Sequence, residues 1–245
     1  MKKLLIASLI LITVAASAQD FRIGVKGTFY STWLFNNNVS DQGSMVDYAA
    51  TFGAGFGLTS QYFFNENIGL SIDVLYSSNN QKLEGDLATD LTYESHTKVK
   101  YIDLPVLLKI SSEGGAYVEF GPQVSFLAGA KEDFKSSPSL PADYSDRDVK
   151  QFFSGFGVAP VLGFGVDIQA SANWLVNIGL RFGYGVNDAT IKFSEEKLND
   201  VPADEGSWFA GWAHYNADTP PKYSYQKTNR AFGGFTLGIV YKPGR

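Results

Sequence analysis

The chain has 245 residues, a formal net charge of −5 and no cysteine. This length suits one domain or at most two, the lack of cysteine excludes a disulfide framework and a lipoprotein anchor, and the acidic balance argues against a nucleic-acid partner. Charged residues at 18% and hydrophobic residues at 44% exclude a disordered chain and a helical membrane bundle. The 25 glycines and the 15% of aromatic residues favour strands.

The first 18 residues have the three parts of a secretory signal peptide. Two lysines at positions 2 and 3 precede an apolar run over residues 4–14, and small residues at positions 16–18 form a cleavage site. The apolar run is shorter than the roughly 20 residues that a spanning helix needs. We therefore predict a signal peptide over residues 1–18 and a single mature domain over residues 19–245. Loss of the two lysines lowers the net charge to about −7.

The rest of the sequence predicts eight strands in which apolar and polar residues alternate. A strand directs successive side chains to opposite faces. One face of nearly every segment is a row of apolar and aromatic residues, and the other holds glycine, serine, threonine, asparagine and glutamine with isolated charges. The predicted strands cover residues 21–33, 48–62, 68–78, 101–110, 116–130, 152–169, 174–185 and 231–242.

The connections between these strands alternate in length. Long polar connections follow the first, third, fifth and seventh strands, at about residues 34–47, 79–97, 131–151 and 186–229. Tight turns follow the second, fourth and sixth strands. This rhythm is typical of transmembrane barrels, which have short periplasmic turns and longer outer loops. An even number of strands leaves both chain ends on the periplasmic side.

These patterns predict an all-β fold, an eight-stranded antiparallel up-and-down transmembrane β-barrel. A sheet in lipid must close so that every backbone polar group is paired, and its apolar rows then face lipid. A soluble lipocalin-like barrel would invert the two faces, and alternation alone allows both. We favour the membrane because tyrosines near the predicted strand ends resemble the aromatic girdles of outer-membrane barrels. These tyrosines are Tyr48, Tyr62, Tyr76, Tyr101, Tyr184 and Tyr241.

The inward face carries nine charged residues in which acids and bases are nearly balanced. Buried charges must be paired and hydrogen-bonded, so the pattern predicts a salt-bridged plug. The alternative is a selectivity lining for a small pore, but eight strands leave a lumen only wide enough for side chains. The predicted lumen network consists of Arg22, Lys26, Asp73, Asp103, Lys109, Glu119, Asp167, Arg181 and Lys242.

Few other residues suggest chemistry. His96 and His214 both fall in predicted loops without a metal-ligand partner at zinc spacing, so we predict surface histidines, no metal and no other cofactor. No nucleophile–base–acid set is recognisable, and we predict no enzymatic activity, with a hydrolase as the alternative because such sites are defined by geometry. Aromatic residues of the last loop either form a contact surface or pack across the barrel mouth. They include Trp208, Phe209, Trp212 and Tyr215.

Four segments resemble the PorT-like outer-membrane β-barrel domain family of Bacteroidetes. They are the opening FRIGVKGTFYS, the strand YIDLPVLLK, the strand YVEFGPQVSFLAGA and the closing LGIVYKP. The resemblance covers the whole mature chain, although the loop over residues 186–229 is longer than the family leads us to expect. It implies an outer-membrane location and an eight-stranded barrel. It implies no single activity, since the member that gives the family its name serves protein secretion.

The sequence therefore predicts an outer-membrane barrel with a plugged lumen that acts as a structural or surface-binding module through its long extracellular loops. The expected partners are outer-membrane lipid and proteins that contact the loops or belong to secretion machinery. Three alternatives stay open: an accessory component of a secretion system, a small-solute pore, and a soluble lipocalin-like carrier.

Overall fold

One antiparallel sheet closes on itself in the computed structural model, which describes residues 20–41, 43–88, 91–137, 143–216, 218, 220 and 222–243. The predicted signal peptide lies outside the described residues. The strands are β1 (Asp20–Asn36), β2 (Asp47–Ala49), β3 (Phe52–Phe63), β4 (Ile68–Ala88), β5 (Leu91–Ser111), β6 (Ala116–Ser137), β7 (Tyr144–Asp148), β8 (Phe156–Gln169), β9 (Trp174–Tyr184) and β10 (Thr228–Tyr241).

Eight of these strands form the ring, in the order β1, β3, β4, β5, β6, β8, β9 and β10. β1 closes it by pairing with β3 on one side and with β10 on the other. The short strands β2 and β7 lie outside the ring and pair with the far ends of β4 and β6. The predicted eight-stranded antiparallel barrel is confirmed. Closure leaves no unpaired edge in the ring, as a sheet in lipid requires.

The apolar rows point away from the barrel axis. Phe56 is 70% exposed and Phe235 is 64% exposed, whereas Thr59 on the other face of β3 and Thr236 on the other face of β10 are buried. A soluble barrel would bury such rows, because exposed contiguous apolar surface is unfavourable in water. The exposed rows form a band, which we call the lipid-facing band. It extends from the turns at residues 64–67, 112–115 and 170–173 to the level of Tyr76, Ile102 and Phe126.

Two of the predicted long loops are wrong. β4 continues to Ala88 and β5 begins at Leu91, so the stretch predicted as a loop at residues 79–97 is a long hairpin. β6 likewise runs to Ser137, and β7 occupies part of the loop predicted at residues 131–151. Beyond the lipid-facing band these strands form a wall, residues 78–88, 91–100 and 128–137, that we call the outer extension.

The two faces of the barrel wall exchange character where the outer extension begins. On β5 the outward residues change from Ile102 to Lys100, Lys98 and Glu94, while the inward residues change from Asp103 to Val99 and Tyr93. Polar residues outside and apolar residues inside are the arrangement of a soluble sheet. Along β5 the alternation is unbroken, but its polarity reverses, which places the outer extension in water.

A hydrophobic core fills the outer extension. Inward residues from its strands, such as Leu83 and Phe134, pack against the segment over residues 186–227, which we call the mouth segment. The mouth segment contains two short helices, Glu195–Asn199 and Trp208–His214, and we call the second one the mouth helix. In the described part of the chain, no helix combines the length and apolar character needed to cross a membrane.

The predicted tyrosine girdle needs two corrections. Tyr76, Tyr184 and Tyr241 are exposed on the outer wall, as a girdle requires. Tyr101 instead points into the barrel and is 2% exposed, because it has the inward parity of Asp103. Tyr48 lies in β2 and packs against Phe35.

Inward glycines make room for the large side chains of the lumen. A Cβ atom at Gly183 would overlap the ring of Phe232, which lies over this glycine on the neighbouring strand. We therefore expect Gly183→Ala to lower the free energy of unfolding by about 1–3 kcal/mol, the usual cost of overpacking. Urea unfolding in lipid vesicles measures this. The outward Gly27, where a Cβ has no contact below 3.8 Å, is the control, and an equal loss for Gly27→Ala would contradict the packing argument.

Candidate functional site

Four charged side chains from four strands meet at the centre of the lumen. The Lys26 ammonium lies 2.9 Å from the Asp73 carboxylate, and the Arg181 guanidinium donates to the same carboxylate at 2.8 Å. Arg181 also donates two hydrogen bonds, of 2.9 and 2.7 Å, to one oxygen of Glu119. All four residues are buried. This central cluster joins β1, β4, β6 and β9 across the barrel.

A second cluster lies towards the turns. Lys109 contacts Asp167 at 2.7 Å, and its ammonium lies 3.9 Å above the Tyr117 ring. Arg22 lies 3.6 Å from Asp167 and 2.7 Å from Asp20. These contacts connect the two walls of the barrel near its turn end.

A third cluster lies on the loop side of the centre. Asp103 accepts hydrogen bonds of 2.5 Å from Ser77 and from Ser125. Arg230 lies 3.3 Å from Asp103 and is placed over the rings of Tyr101 and Phe232. Arginine suits this position because its planar guanidinium can stack on aromatic rings and still donate hydrogen bonds.

The structure places eight of the nine residues of the predicted lumen network in these clusters. Lys242 instead lies at the turn-end rim, where its side chain is 41% exposed and contacts Asp20 at 2.9 Å. Sequence reasoning missed Asp20 and Arg230, since each precedes the start predicted for its strand. Continuing the inward alternation of Gly234 back by four residues would have found Arg230.

The three clusters together contain five cations and five acids, every one within 4 Å of an opposite charge. An ion crossing the lumen would have to displace these paired charges, and leaving a buried charge without its partner is costly. The arrangement is therefore chemically suited to sealing the barrel. The cations are Arg22, Lys26, Lys109, Arg181 and Arg230, and the acids are Asp20, Asp73, Asp103, Glu119 and Asp167.

Glu132 anchors the mouth helix to the barrel. It is a buried acid that falls within the loop predicted at residues 131–151. Its carboxylate accepts hydrogen bonds from the hydroxyls of Thr97 (3.0 Å), Tyr144 (2.6 Å) and Ser207 (3.0 Å). It also accepts the backbone N–H groups of Trp208 (2.6 Å) and Phe209 (3.2 Å), the first residues of the mouth helix. Five donors satisfy the charge where no cation pairs with it in the described residues.

The histidines do not lie where the sequence predicted. His96 lies in β5 opposite Lys82, within the long hairpin. His214 is fully buried at the end of the mouth helix rather than on the surface. Its Nδ1 lies 2.7 Å from the carbonyl of Ala210, and its Nε2 accepts the N–H of Phe193 at 3.0 Å. Both ring nitrogens of the neutral imidazole are therefore used. Within the described ranges, no three histidine or acidic side chains are grouped as a metal site.

Acidic pH should loosen the mouth segment through His214. Burial lowers the pKa of this imidazole below its ordinary 6.5, an effect that Asp188 opposes and Lys192 reinforces. The unfolded segment therefore binds a proton more readily than the folded segment does. The stability that neutral His214 gives to the folded mouth segment is complete above pH 6.5 and declines as the pH falls towards the lowered pKa. The protection factor of the Phe193 amide, which is the intrinsic exchange rate at each pH divided by the observed rate, should fall over this range. A His214→Gln variant should lose this pH dependence, and an unchanged profile would contradict the assignment.

The aromatic residues of the mouth helix pack mainly inward. Phe209 is completely buried and stacks near Phe153, so it offers no surface to a partner, contrary to one of the two readings of the sequence. Trp208 is half-buried between Tyr93 and Phe134. Trp212 and Tyr215 are also half-buried, against Trp208 and Tyr223 respectively. With these rings the mouth segment therefore covers the space enclosed by the outer extension.

A sequence model of the family described as "Outer membrane protein beta-barrel domain" matches residues 17–190, which include β1 to β9. No curated protein matches in sequence. Among solved structures, the chain is similar to OprG from Pseudomonas aeruginosa (13% identity, 93% of this chain and 97% of that chain, TM-score 0.40). It is also similar to Ail of Yersinia pestis (10%, 92% and 100%, 0.35) and to the protease OmpT from Escherichia coli (10%, 93% and 98%, 0.36).

Proposed function

Because the chain belongs to the family of outer membrane protein beta-barrel domains, we propose that it is an outer-membrane protein that conducts no solute and presents its outer extension at the cell surface. The observation that carries this proposal is the reversal of polarity along β4, β5 and β6. Apolar residues face outward up to Ile102, and charged residues face outward beyond it. The barrel is then an anchor, and the outer extension is the part that contacts other molecules.

The sealed lumen supports a structural or binding role over a pore. Three ion-paired clusters in series fill the barrel, and the mouth segment covers its outer end. The buried acids are committed to salt bridges or to hydrogen bonds within the protein, which supports a role other than catalysis. A soluble carrier would have to expose the lipid-facing band to water, which the hydrophobic effect opposes.

The surface for a partner is the concave tip of the outer extension. A cup with a volume of about 570 Å³ lies between the tips of β4, β5 and β6. Its polar lining includes Glu84, Asp86, Glu94 and Lys135. The excess of acids favours a partner that presents cationic groups. We further propose that the protein is related to the PorT-like proteins of Bacteroidetes. In a role as an accessory of a secretion system, the cup would contact the other components of that system.

Membrane insertion and orientation can be tested together, because the chain has no cysteine of its own. Single cysteines are introduced as Glu84→Cys in the outer extension and Asn65→Cys in a tight turn, both exposed positions. We expect a membrane-impermeant maleimide to label the first in intact cells and the second only after lysis. Recovery of the protein in the soluble periplasm, or loss of its heat-modifiable mobility in gels, would contradict the proposal.

The sealed lumen requires a separate measurement. Purified protein in planar bilayers should give no ion conductance above that of protein-free membranes. Discrete channel openings by the intact protein would favour the small-solute pore instead.

A further inference from the structure

A groove opens in the outer wall of the barrel where the lipid-facing band ends. Phe126 and Phe156 are exposed side by side at the top of the band, with ring centroids 5.7 Å apart. Immediately beyond them, the Leu127 N–H donates to the Gly155 carbonyl at 3.0 Å, one residue past the Phe126–Phe156 pair that ends the ladder between β6 and β8. The groove above this link has a volume of about 620 Å³, and Leu127, Phe153 and Gly155 are the apolar residues of its lining.

Two glycines lie beside open space here: Gly155, which lines the groove, and Gly129, two residues along β6 from the lining residue Leu127. A Cβ atom added at Gly129 or at Gly155 would meet no other atom within 4 Å. These two glycines differ from Gly183, which a neighbouring ring covers. The groove is thus continuous with the lipid-facing band and can accept atoms of a molecule whose chains lie against Phe126 and Phe156.

Two lysines beside the groove lack acidic partners. Lys98 and Lys131, farther from the membrane, are paired with Asp133 and Asp146. By contrast, no carboxylate within the described chain forms a salt bridge with Lys100 or Lys150. Lys100 is exposed opposite Gly129, and the Lys150 ammonium lies 3.3 Å from the carbonyl of Ala128. The unneutralised cations therefore flank the open part of β6, one residue pair beyond the band.

Two acids lie on the water side of the same groove. Asp148 is level with Lys131 on the β6–β7 ladder, and one of its oxygens accepts the backbone N–H of Lys150 at 2.9 Å. Glu205 belongs to the mouth segment and lines the groove with Asp148. Neither carboxylate forms a salt bridge with a cation in the residues that the structure describes. Charges thus follow one another outward from the band, first positive and then negative.

We propose that this groove binds the head group of a membrane lipid that carries a phosphate followed by a primary ammonium, as a phosphoethanolamine does. The acyl chains continue over Phe126 and Phe156. The phosphate lies between Lys100 and Lys150, and the ammonium donates hydrogen bonds to Asp148 and Glu205. Phosphate oxygens and ammonium groups form charge-assisted hydrogen bonds with such partners. This inference rests on the proposed membrane location.

Native mass spectrometry of the folded, detergent-solubilised protein tests the assignment with three added lipids. Phosphatidylethanolamine should be retained best, phosphatidylglycerol less well because it lacks the ammonium, and phosphatidylcholine least because its quaternary ammonium cannot donate a hydrogen bond. Inorganic phosphate should not compete, since it has no acyl chain. Equal retention of the three lipids, or displacement by inorganic phosphate, would overturn the proposal.

Substitutions separate the two halves of the head group. Lys100→Gln with Lys150→Gln should weaken retention of phosphatidylethanolamine about tenfold, given the usual attraction of lysine to anionic lipid. Asp148→Asn with Glu205→Gln should reduce it to the level of phosphatidylglycerol. The matched control is Lys192→Gln with Lys197→Gln, two exposed lysines of the mouth segment.

An equal loss in the matched control would refute the site. Only preparations with heat-modifiable mobility are compared, so failure of the barrel to enter a membrane is recognised separately from failure to bind this lipid.

Discussion

Replacement of Arg181 by methionine should lower the free energy of unfolding by about 3–5 kcal/mol, the usual cost of breaking a buried ion pair. Arg181 is completely surrounded by protein and provides the hydrogen bonds of 2.9 and 2.7 Å that the Glu119 carboxylate accepts. Without it, Glu119 has no salt bridge in the described lumen, whereas Asp73 keeps Lys26. Methionine fills similar volume, so the loss reflects charge rather than a cavity.

Urea unfolding of the variant in lipid vesicles measures this loss, followed by tryptophan fluorescence. The control is Lys82→Met, which breaks a pair with Glu94 whose side chains are 30% and 56% exposed. Exposed pairs contribute about 0–1 kcal/mol, so the control should be nearly neutral. Similar effects of the two substitutions would show that the lumen is hydrated enough to screen its charges.

A second substitution tests whether the unpaired carboxylate of Glu119 causes the loss of stability in Arg181→Met. Glu119→Gln in the Arg181→Met background removes the buried charge that the first change leaves alone. The double variant should therefore be more stable than Arg181→Met by itself, since residues in one salt-bridge network are not additive. If the double variant is less stable, the cost of Arg181→Met comes from packing.

The barrel itself could be predicted because each ring strand must have one apolar and one polar face, and its sequence shows that alternation. Period-two alternation identified both faces of the ring strands, and the tight turns at residues 64–67, 112–115 and 170–173 fixed the order of the hairpins. The sequence did not reveal which face lies inside. That choice depended on the loop rhythm and the tyrosines, and the inward Tyr101 shows how weak a single tyrosine is as a marker.

The outer extension escaped prediction because its composition is that of a loop. The outward residues of this wall are charged, and they alternate with inward residues such as Leu83. A pattern that requires apolar residues on the outward face therefore does not detect these strands. The outward residues include Lys82, Glu84 and Glu94. The same error hid Glu132, whose charge suggests solvent although five donors surround it. Such long-range satisfaction of a buried acid depends on the mouth helix and cannot be read from local sequence.

The lumen charges were recognisable individually, but their partners were not. Parity identified Lys26 and Asp73 as inward residues, yet their sequence separation of 47 gives no pairing. Strand register decides which inward residues share a level, and register follows from backbone ladders that one sequence does not specify. His214 was misplaced for a related reason, since only the folded mouth segment provides its two hydrogen bonds.

Glu132→Ala should release the mouth helix while leaving the barrel folded. The substitution leaves the hydroxyl of Ser207 and the N–H groups of Trp208 and Phe209 without their acceptor. A buried donor without an acceptor costs about 1–3 kcal/mol, so undocking of the helix into water becomes favourable. We expect exchange of the Trp208 and Phe209 amides to accelerate at least about 100-fold, the equivalent of roughly 3 kcal/mol.

Two further variants give this experiment its contrast. Glu132→Gln keeps one carbonyl acceptor but directs an amide NH₂ group at donors, so its effect should lie between those of wild type and Glu132→Ala. Glu84→Ala removes an acid of the outer extension whose side chain is 57% exposed, and it should leave exchange in the mouth helix unchanged. Global unfolding of Glu132→Ala, rather than local opening, would show that the mouth segment and barrel form one cooperative unit.

Conductance measurements distinguish whether the mouth segment or the paired charges of the lumen seal the barrel. The central cluster around Arg181 and Asp73 lies below the mouth helix and makes no contact that depends on Glu132. Opening the mouth therefore leaves the lumen blocked, and Glu132→Ala in planar bilayers should conduct no ions even though its helix exchanges rapidly. Adding Arg181→Met removes one cation of the central cluster, but methionine fills a similar volume and the other two clusters remain, so this double variant should also conduct no ions. Current in Glu132→Ala alone would mean that the mouth segment, and not the paired charges, seals the barrel.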